Sequence, residues 1–431
     1  MKKRFFLIIA ILLLTIFAIS FTACTVVTEK EKEVKTVTVL DDRFDLTNQV
    51  LNFIEELYYD DVDYDLADLY VAYGLVSSLG NYNYINSIAD LLASTSDGKG
   101  FGLIVRTTKY NEHLIDSILE GSPFLTPSNG RTAQRGDEIY AINGTRLTGL
   151  ASSAYASFIS SLPSDEQVTF TLKRGEEVFD VSYEKIAFHF PNCYYVNDLP
   201  GVPEEMGYIC LRSFDGNTST VEEFTKAVKA FNEDGNSALI LDLRGNGGGS
   251  SDVFAQVASA LIGNVSAGET LLEIHYEKYN QSQYAKSVAV ANKISTPVYV
   301  LCDGSTASAS EALIGTMKAH GALTALIGQN TVGKGVAQNG VGLSENATGY
   351  FVDKGFDEEG KESQIGAYLV QVIVGKYYII DPSAEDGKYC MHGQPFEPDI
   401  PITKENVISP DYSEDLYIAA AIDHYNENKK S

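Results

Sequence analysis

A chain of 431 residues that is 44% hydrophobic and 21% charged holds enough apolar material for two or three packed domains, which excludes a disordered body. Its 58 acidic residues outnumber 32 basic ones, and the net charge of −26 repels nucleic-acid phosphates and anionic headgroups, so no nucleic-acid partner is expected.

The first predicted element is an export signal over residues 1–24. Lys2-Lys3-Arg4 precede an apolar run from Phe5 to Ile19, the order of a cationic end held inside and a segment entering the membrane. The run is short for a spanning helix and Phe21-Thr22-Ala23 lead directly to Cys24, so the pattern resembles a bacterial lipobox in which Cys24 is lipidated. A retained membrane helix and an ordinary cleaved signal are the alternatives. The lipobox reading places the body outside the cytoplasmic membrane, on the extracellular face or in a periplasm, with the membrane as partner through Cys24. Residues 25–42 include the charge run Glu29-Lys30-Glu31-Lys32-Glu33 and suit a linker. Over 43–96 apolar residues such as Leu51, Ile54 and Leu57 recur at helical spacing, which predicts a small helical region.

A composition shift opens the next unit, 97–187. Gly100-Phe101-Gly102 precede the apolar run Leu103-Ile104-Val105, so backbone N–H groups can turn outward at the start of a strand, where they can hold a carboxylate. Arg135-Gly136-Asp137-Glu138-Ile139 reads as a turn into a strand, and Asn143-Gly144 as a hairpin turn. A helix near Ala151 to Leu162 and a strand over Val168 to Lys173 complete the series. In this order the motifs resemble a PDZ domain, a small β-barrel-like fold; the resemblance implies a peptide-tail groove with Gly100, Phe101 and Gly102 as its carboxylate loop. An additional Pro/Ser/Asn/Gly loop, Ser122 to Gly130, departs from the pattern.

From 188 to 431 strand-like and helix-like runs alternate: Met206 to Arg212, Val221 to Phe231, Ala238 to Leu243, Val253 to Leu261, Val298 to Cys302, Glu311 to Ala319. The alternation predicts an α/β core with a mixed, largely parallel sheet flanked by helices. Cys193, Cys210, Cys302 and Cys390 form no C-x-x-C pair and have no neighbouring His cluster, so no metal is expected. Cys210 and Cys302 lie in apolar strands and are expected as buried free thiols.

Three strings carry the chemistry. The strand Ala238 to Arg244 runs into Gly245-Asn246-Gly247-Gly248-Gly249-Ser250, and bare N–H groups at a strand's carboxyl end can hold an anion. The P-loop Lys and Ser/Thr are missing, so the oxyanion of an acyl intermediate is a better occupant than phosphate. Ser308 lies at a strand-to-helix turn; with Glu311 three residues on it also reads as an ordinary capping box, which alone would explain it. Lys334, between Gly333 and Gly335 with apolar neighbours, is either a surface turn lysine or an amine withdrawn from water, whose lowered pKa would let it take a proton from a hydroxyl.

In this order the three strings, with Gly207-Tyr208-Ile209, Ser213-Phe214 and Glu397-Pro398-Asp399-Ile400, resemble the C-terminal processing peptidases, or tail-specific proteases, which use a Ser-Lys dyad. The resemblance implies Ser308 as nucleophile, Lys334 as general base and Gln338 as its support, with the N–H groups of Gly248 and Ala309 as the oxyanion hole. It further implies protein or peptide substrates taken by their C-terminal tails, and neither metal nor organic cofactor. Gly247 stands where the family commonly has proline. His275, His320 and His392 offer a Ser-His alternative but lie in no motif, and a catalytically silent PDZ scaffold is the rival from another class. The oligomeric state is left open by the sequence.

Overall fold

The computed structural model describes residues 44–57, 64–87, 98–216, 218–343 and 368–430. The export signal, Cys24 and the linker lie outside the described residues. The chain divides into two compact units at Val71–Ala72. Helix α1 (Asp45–Leu57) lies in the first, and the divide falls within α2 (Tyr64–Ser77). Within 43–96 the described residues after Ser77 depart from the helical expectation: Tyr84–Ser87 is a strand, β1, antiparallel to a strand near residue 370, and residues 88–96 lie outside the described residues. Four residues are too few to reveal a period, and the pairing partner is remote in sequence.

Residues 98–187 build one antiparallel domain. Its elements are β2 (Lys99–Gly100), β3 (Leu103–Thr107), β4 (His113–Ile118), β5 (Glu138–Ile142), β6 (Thr145–Arg146), α3 (Ser152–Ser161), β7 (Val168–Arg174), β8 (Glu177–Tyr183) and β9 (Ile186–Ala187). The main sheet runs β3-β4-β5-β7-β8, which leaves β3 as an edge strand. Alternation along β7 sends Val168, Phe170 and Leu172 inward, where they pack with Ile115, Phe124, Ile139 and Val181 in a core of their own. The loop 122–130 carries a short 3-10 turn, Pro123–Leu125, capped by the Ser122 hydroxyl, and Phe124 plugs this core.

The remaining chain, joined by β1, builds two six-stranded sheets. Its elements in order are β10 (Cys193–Val196), β11 (Met206–Leu211), α4 (Thr218–Glu233), β12 (Ala238–Asp242), α5 (Ser251–Leu261), β13 (Thr270–Tyr276), β14 (Gln281–Lys286), β15 (Val298–Cys302), α6 (Ala309–Ala319), β16 (Ala325–Gly328), β17 (Val336–Leu343), β18 (Tyr368–Ile380), β19 (Lys388–Cys390), β20 (Ile400–Pro401) and α7 (Leu416–Asn428). The first sheet, β10-β11-β12-β15-β16-β20, is parallel except for β10. Its central strands are apolar on both faces because both are covered. Leu239, Leu241, Val300 and Leu326 face α4, α5 and α6, while Ile240, Leu301 and Ile327 face α7. The second sheet, built on the long β18, is wholly antiparallel and was not foreseen from the strand-helix alternation. Cys193, Cys210 and Cys302 are buried free thiols, and Cys390 is free and partly exposed.

A closed set of charges joins the 98–187 domain to the α/β core. Arg135 reaches Asp116 and Asp415, both at 3.1 Å; Arg244 reaches Asp415 at 3.0 Å and Asp242 at 2.5 Å; Arg106 reaches Asp116 at 2.6 Å. Three arginines and three aspartates compensate each other, which is the condition for burying ions without a large desolvation penalty. Burial alone would raise Asp242, but Arg244 and Arg106 hold its pKa at about 2.

Candidate active site

Loops from the carboxyl ends of β12, β15 and β16 are laced together by hydrogen bonds, at the edge where an open parallel sheet leaves its crevice. Ala307 N donates to Asn246 O at 3.0 Å, Val332 N to Thr306 O at 3.1 Å, and Gly245 N to Asp303 Oδ1 at 3.0 Å. Ser308, the last residue before α6, has φ 57° and ψ −116°. A non-glycine residue in that region costs about 1–3 kcal/mol and persists only where its surroundings impose it. A strained strand-to-helix turn is also how acyl-transfer enzymes present a nucleophilic serine.

What imposes the strain is Glu311, in the first turn of α6 and fully buried. Its Oε2 accepts from Ser308 N at 2.9 Å, as a capping residue should, but the same oxygen also accepts from Lys334 N at 2.8 Å. Oε1 accepts from Gly333 N at 2.6 Å and from the Thr331 hydroxyl at 2.5 Å. One carboxylate therefore caps the helix and clamps the Lys334 loop beside Ser308. The capping box expected at Ser308 and the hold on the Lys334 loop thus come from the same side chain.

Lys334 is half-buried, and its Nζ donates to Gln338 Oε1 at 2.7 Å. Burial depresses its pKa below the usual lysine range, an effect partly opposed by the Glu311 charge. An amine so shifted is neutral at lower pH than a free lysine and can accept a hydroxyl proton. Burial raises the pKa of the Tyr377 hydroxyl of β18, an effect partly opposed by the neighbouring Ser308 side chain, and Tyr377 N donates to Gly335 O at 2.9 Å. On the far side of the lysine loop Gly393 N donates to Gly333 O at 2.9 Å.

The expected oxyanion donors behave differently from each other. Ala309 N–H, first in α6, donates to no protein group among the described residues. Gly248 packs closely against the serine turn: a Cβ there would lie 2.7 Å from both Ser308 Cβ and Ala309 N. Its own N–H, however, is taken by Asn246 Oδ1 at 2.9 Å, because Asn246 folds back on the glycine loop while its Nδ2 donates to Leu211 O at 2.8 Å. In this arrangement the Ala309 N–H is the open donor of the two. His275 pairs with Ser282 at 3.0 Å and His320 is the C-cap residue of α6, at the opposite end of that helix from Ser308. His392 touches the loop through its backbone, beside Gly335.

A second feature is a groove of about 750 Å³ lined by Phe101, Leu103, Val105, Tyr155, Ile159 and Phe190 among others, between edge strand β3 and helix α3. At its end the N–H groups of Phe101 and Gly102 meet no protein acceptor among the described residues, while their carbonyls accept from Ser122 Oγ at 2.6 Å and Leu119 N at 2.9 Å. Gly102 needs its φ of +64° and its missing side chain, since a Cβ would lie 2.7 Å from the Phe188 ring. Sequence reasoning missed Tyr377, Asn246 and Tyr82, whose carbonyl accepts from Gln338 Nε2. Asn246 stood inside a quoted motif; the two tyrosines carried no local signal.

Residues 205–402 match the model of peptidase family S41. The chain is 23% identical over 355 residues to the carboxy-terminal processing protease CtpA of Bacillus subtilis, covering 81% of this chain and 72% of that protein. It is 28% identical over 240 residues to the chloroplastic C-terminal processing peptidase of Tetradesmus obliquus, and there spans only half of the relative's length. In fold it is similar to a putative S41 protease from Bacteroides fragilis, with a TM-score of 0.55 and 17% identity over 81% of this chain and 87% of that one.

Proposed function

We infer that this chain is a serine endopeptidase of peptidase family S41 that processes proteins from their C-terminal ends, with Ser308 as nucleophile and Lys334 as general base. The observation that carries the assignment of residues is the shared Glu311 oxygen, which ties the strained serine and the dehydrated lysine to one acceptor. Neutral Lys334 takes the Ser308 proton as Oγ bonds to the scissile carbonyl carbon, and Ala309 N–H receives the developing oxyanion. The ammonium so formed returns its proton to the leaving amine. Water, deprotonated by the same base, then releases the acyl group. Gln338 holds the amine through Oε1 throughout.

The 98–187 domain is read as a PDZ-type module that takes the substrate tail by strand addition to β3. Support comes from the open β3 edge, the apolar groove and the two unpaired N–H groups awaiting a carboxylate. The export pattern ending in Cys24 supports lipid anchoring outside the cytoplasmic membrane. A casein cleavage assay on the full chain, with Ser308→Ala and Lys334→Ala compared with the parent, tests the dyad. Loss of cleavage in both variants is expected; equal activity in all three proteins would refute it.

A further inference from the structure

We propose that Tyr82 is a positioning residue of the Ser308/Lys334 centre: its carbonyl sets the Gln338 amide, its ring roofs the amine, and the segment ahead of the 98–187 domain thereby completes the site. The proposal rests on the dyad reading given above.

A carbonyl can only accept, so the hydrogen bond from Gln338 Nε2 to Tyr82 O decides which way the Gln338 amide points. It leaves Oε1 for the Lys334 amine, which it meets at 2.7 Å. With one N–H committed there, the lone pair of the neutral amine is directed elsewhere. A reversed amide would set an NH2 group against the amine and compete for that lone pair. The Tyr82 ring centroid is 5.3 Å from Nζ, close enough to exclude water from that side.

The turn that delivers Tyr82 is built for the purpose. Tyr82 has φ 72°, a left-handed conformation that is an outlier for a bulky residue. It is held from both sides by Asn83. Asn83 Nδ2 donates to Leu79 O at 3.2 Å and Gly80 O at 3.1 Å, and its Oδ1 accepts from Ile373 N of β18 at 2.8 Å. Directly after it β1 pairs with β18, in the register Tyr84 to Gln371, and β18 also pairs with β17, which carries Gln338. The strain at Tyr82 is thus maintained by the same sheet that carries the lysine's partner.

The ring acts on the amine in two opposed ways. Its π face favours the ammonium, whereas exclusion of water disfavours it. Among the described residues the other titratable groups at this centre are Glu311 from α6, Tyr377 from β18, which neighbours Ser308, and His392, whose backbone abuts Gly335. If the roof works by excluding water, its removal raises the amine pKa and moves the acid limb of the reaction to higher pH.

The test uses the full chain and the rate of Ser308 acylation by a fluorophosphonate probe as a function of pH, for the parent, Tyr82→Phe and Tyr82→Asn. Asparagine tolerates the left-handed backbone, so the carbonyl stays and only the ring is lost. The acid limb is expected to be unchanged in Tyr82→Phe and to rise by about one pH unit in Tyr82→Asn, about tenfold slower acylation below the limb. A limb that stays in place while the rate falls, or one that moves to lower pH, overturns the proposal. Tyr82→Gly, free of left-handed strain, answers the same question should the asparagine variant not fold. Lys334→Ala separates the two readings. If it acylates as fast as the parent, the dyad fails; if it is inert and the Tyr82 variants keep the parental limb, the Tyr82 proposal fails and the dyad stands.

Discussion

Replacing Glu311 by glutamine perturbs the clamp at the centre of the site while keeping its volume. Each carboxylate oxygen accepts two hydrogen bonds, Oε2 from Ser308 N and Lys334 N, Oε1 from Gly333 N and Thr331 Oγ1. A glutamine has a single acceptor oxygen, so whichever way the amide is turned an NH2 group faces at least one buried backbone N–H. With the amide in its better orientation two charge-assisted bonds are lost, at about 1.5–3 kcal/mol each, or about 3–6 kcal/mol together. That is a large share of the 5–15 kcal/mol typical of a folded domain, on the order of half. Urea unfolding, read in a Ser308→Ala background to prevent self-digestion, should show a midpoint lowered accordingly. In the cleavage-competent protein a second effect follows. The Glu311 charge raises the Lys334 pKa, so its removal lowers that pKa further and moves the acid limb of activity to lower pH in whatever fraction stays folded. A destabilisation under about 1 kcal/mol with an unmoved limb would mean that Glu311 is a helix cap and nothing more.

Gly248→Ala should abolish cleavage and also lower the urea midpoint, because the methyl group, on a backbone with φ +97°, would lie 2.7 Å from Ala309 N and 2.8 Å from Ala307 O; retained turnover would remove the Ala309 N–H from the mechanism. Arg135→Ala should cost about 3–5 kcal/mol in thermal or urea unfolding, since Asp116 and Asp415 are left buried without their shared partner; a neutral outcome would mean that water replaces the guanidinium. Asp242, depressed from 3.8 to about 2 in the folded state, contributes stability that is complete above 3.8 and is lost as pH falls through about 2. Acid unfolding of Asp242→Asn, normalised to its neutral-pH stability, should accordingly be shallower over that window. In the groove, Gly102→Val should weaken binding of a fluorescent peptide with a free C-terminal carboxylate at least tenfold by polarisation, and amidating the peptide should do the same to the parent protein; equal binding of amidated and free peptides would refute the carboxylate loop.

Much of the α/β core was legible because its central strands and helices are locally consistent. β12, β15 and α5 each announce themselves by apolar runs bounded by glycine, serine or aspartate, and the three chemical strings fall at the ends of such runs. The antiparallel sheet around β18 was not legible: β18 is rich in Leu, Val and Ile, but its partners β1, β13 and β17 lie in separate stretches of the chain, and no local pattern announces those pairings. The same holds for β1, four residues whose partner lies nearly three hundred positions away.

The local order of residues was sufficient to nominate Ser308, Lys334, Gln338 and the glycine loop, since strand-to-helix turns and glycine-rich strand ends are written in neighbouring positions. Tertiary structure alone decided that Glu311 grips both the serine and the lysine, that Asn246 occupies the Gly248 N–H, and that Tyr82 reaches Gln338 from 256 residues upstream. Those contacts join segments with no shared periodicity. They exist only once the sheets bring the loops together, and hydrogen bonds between distant loops leave no pattern in the chain that makes them.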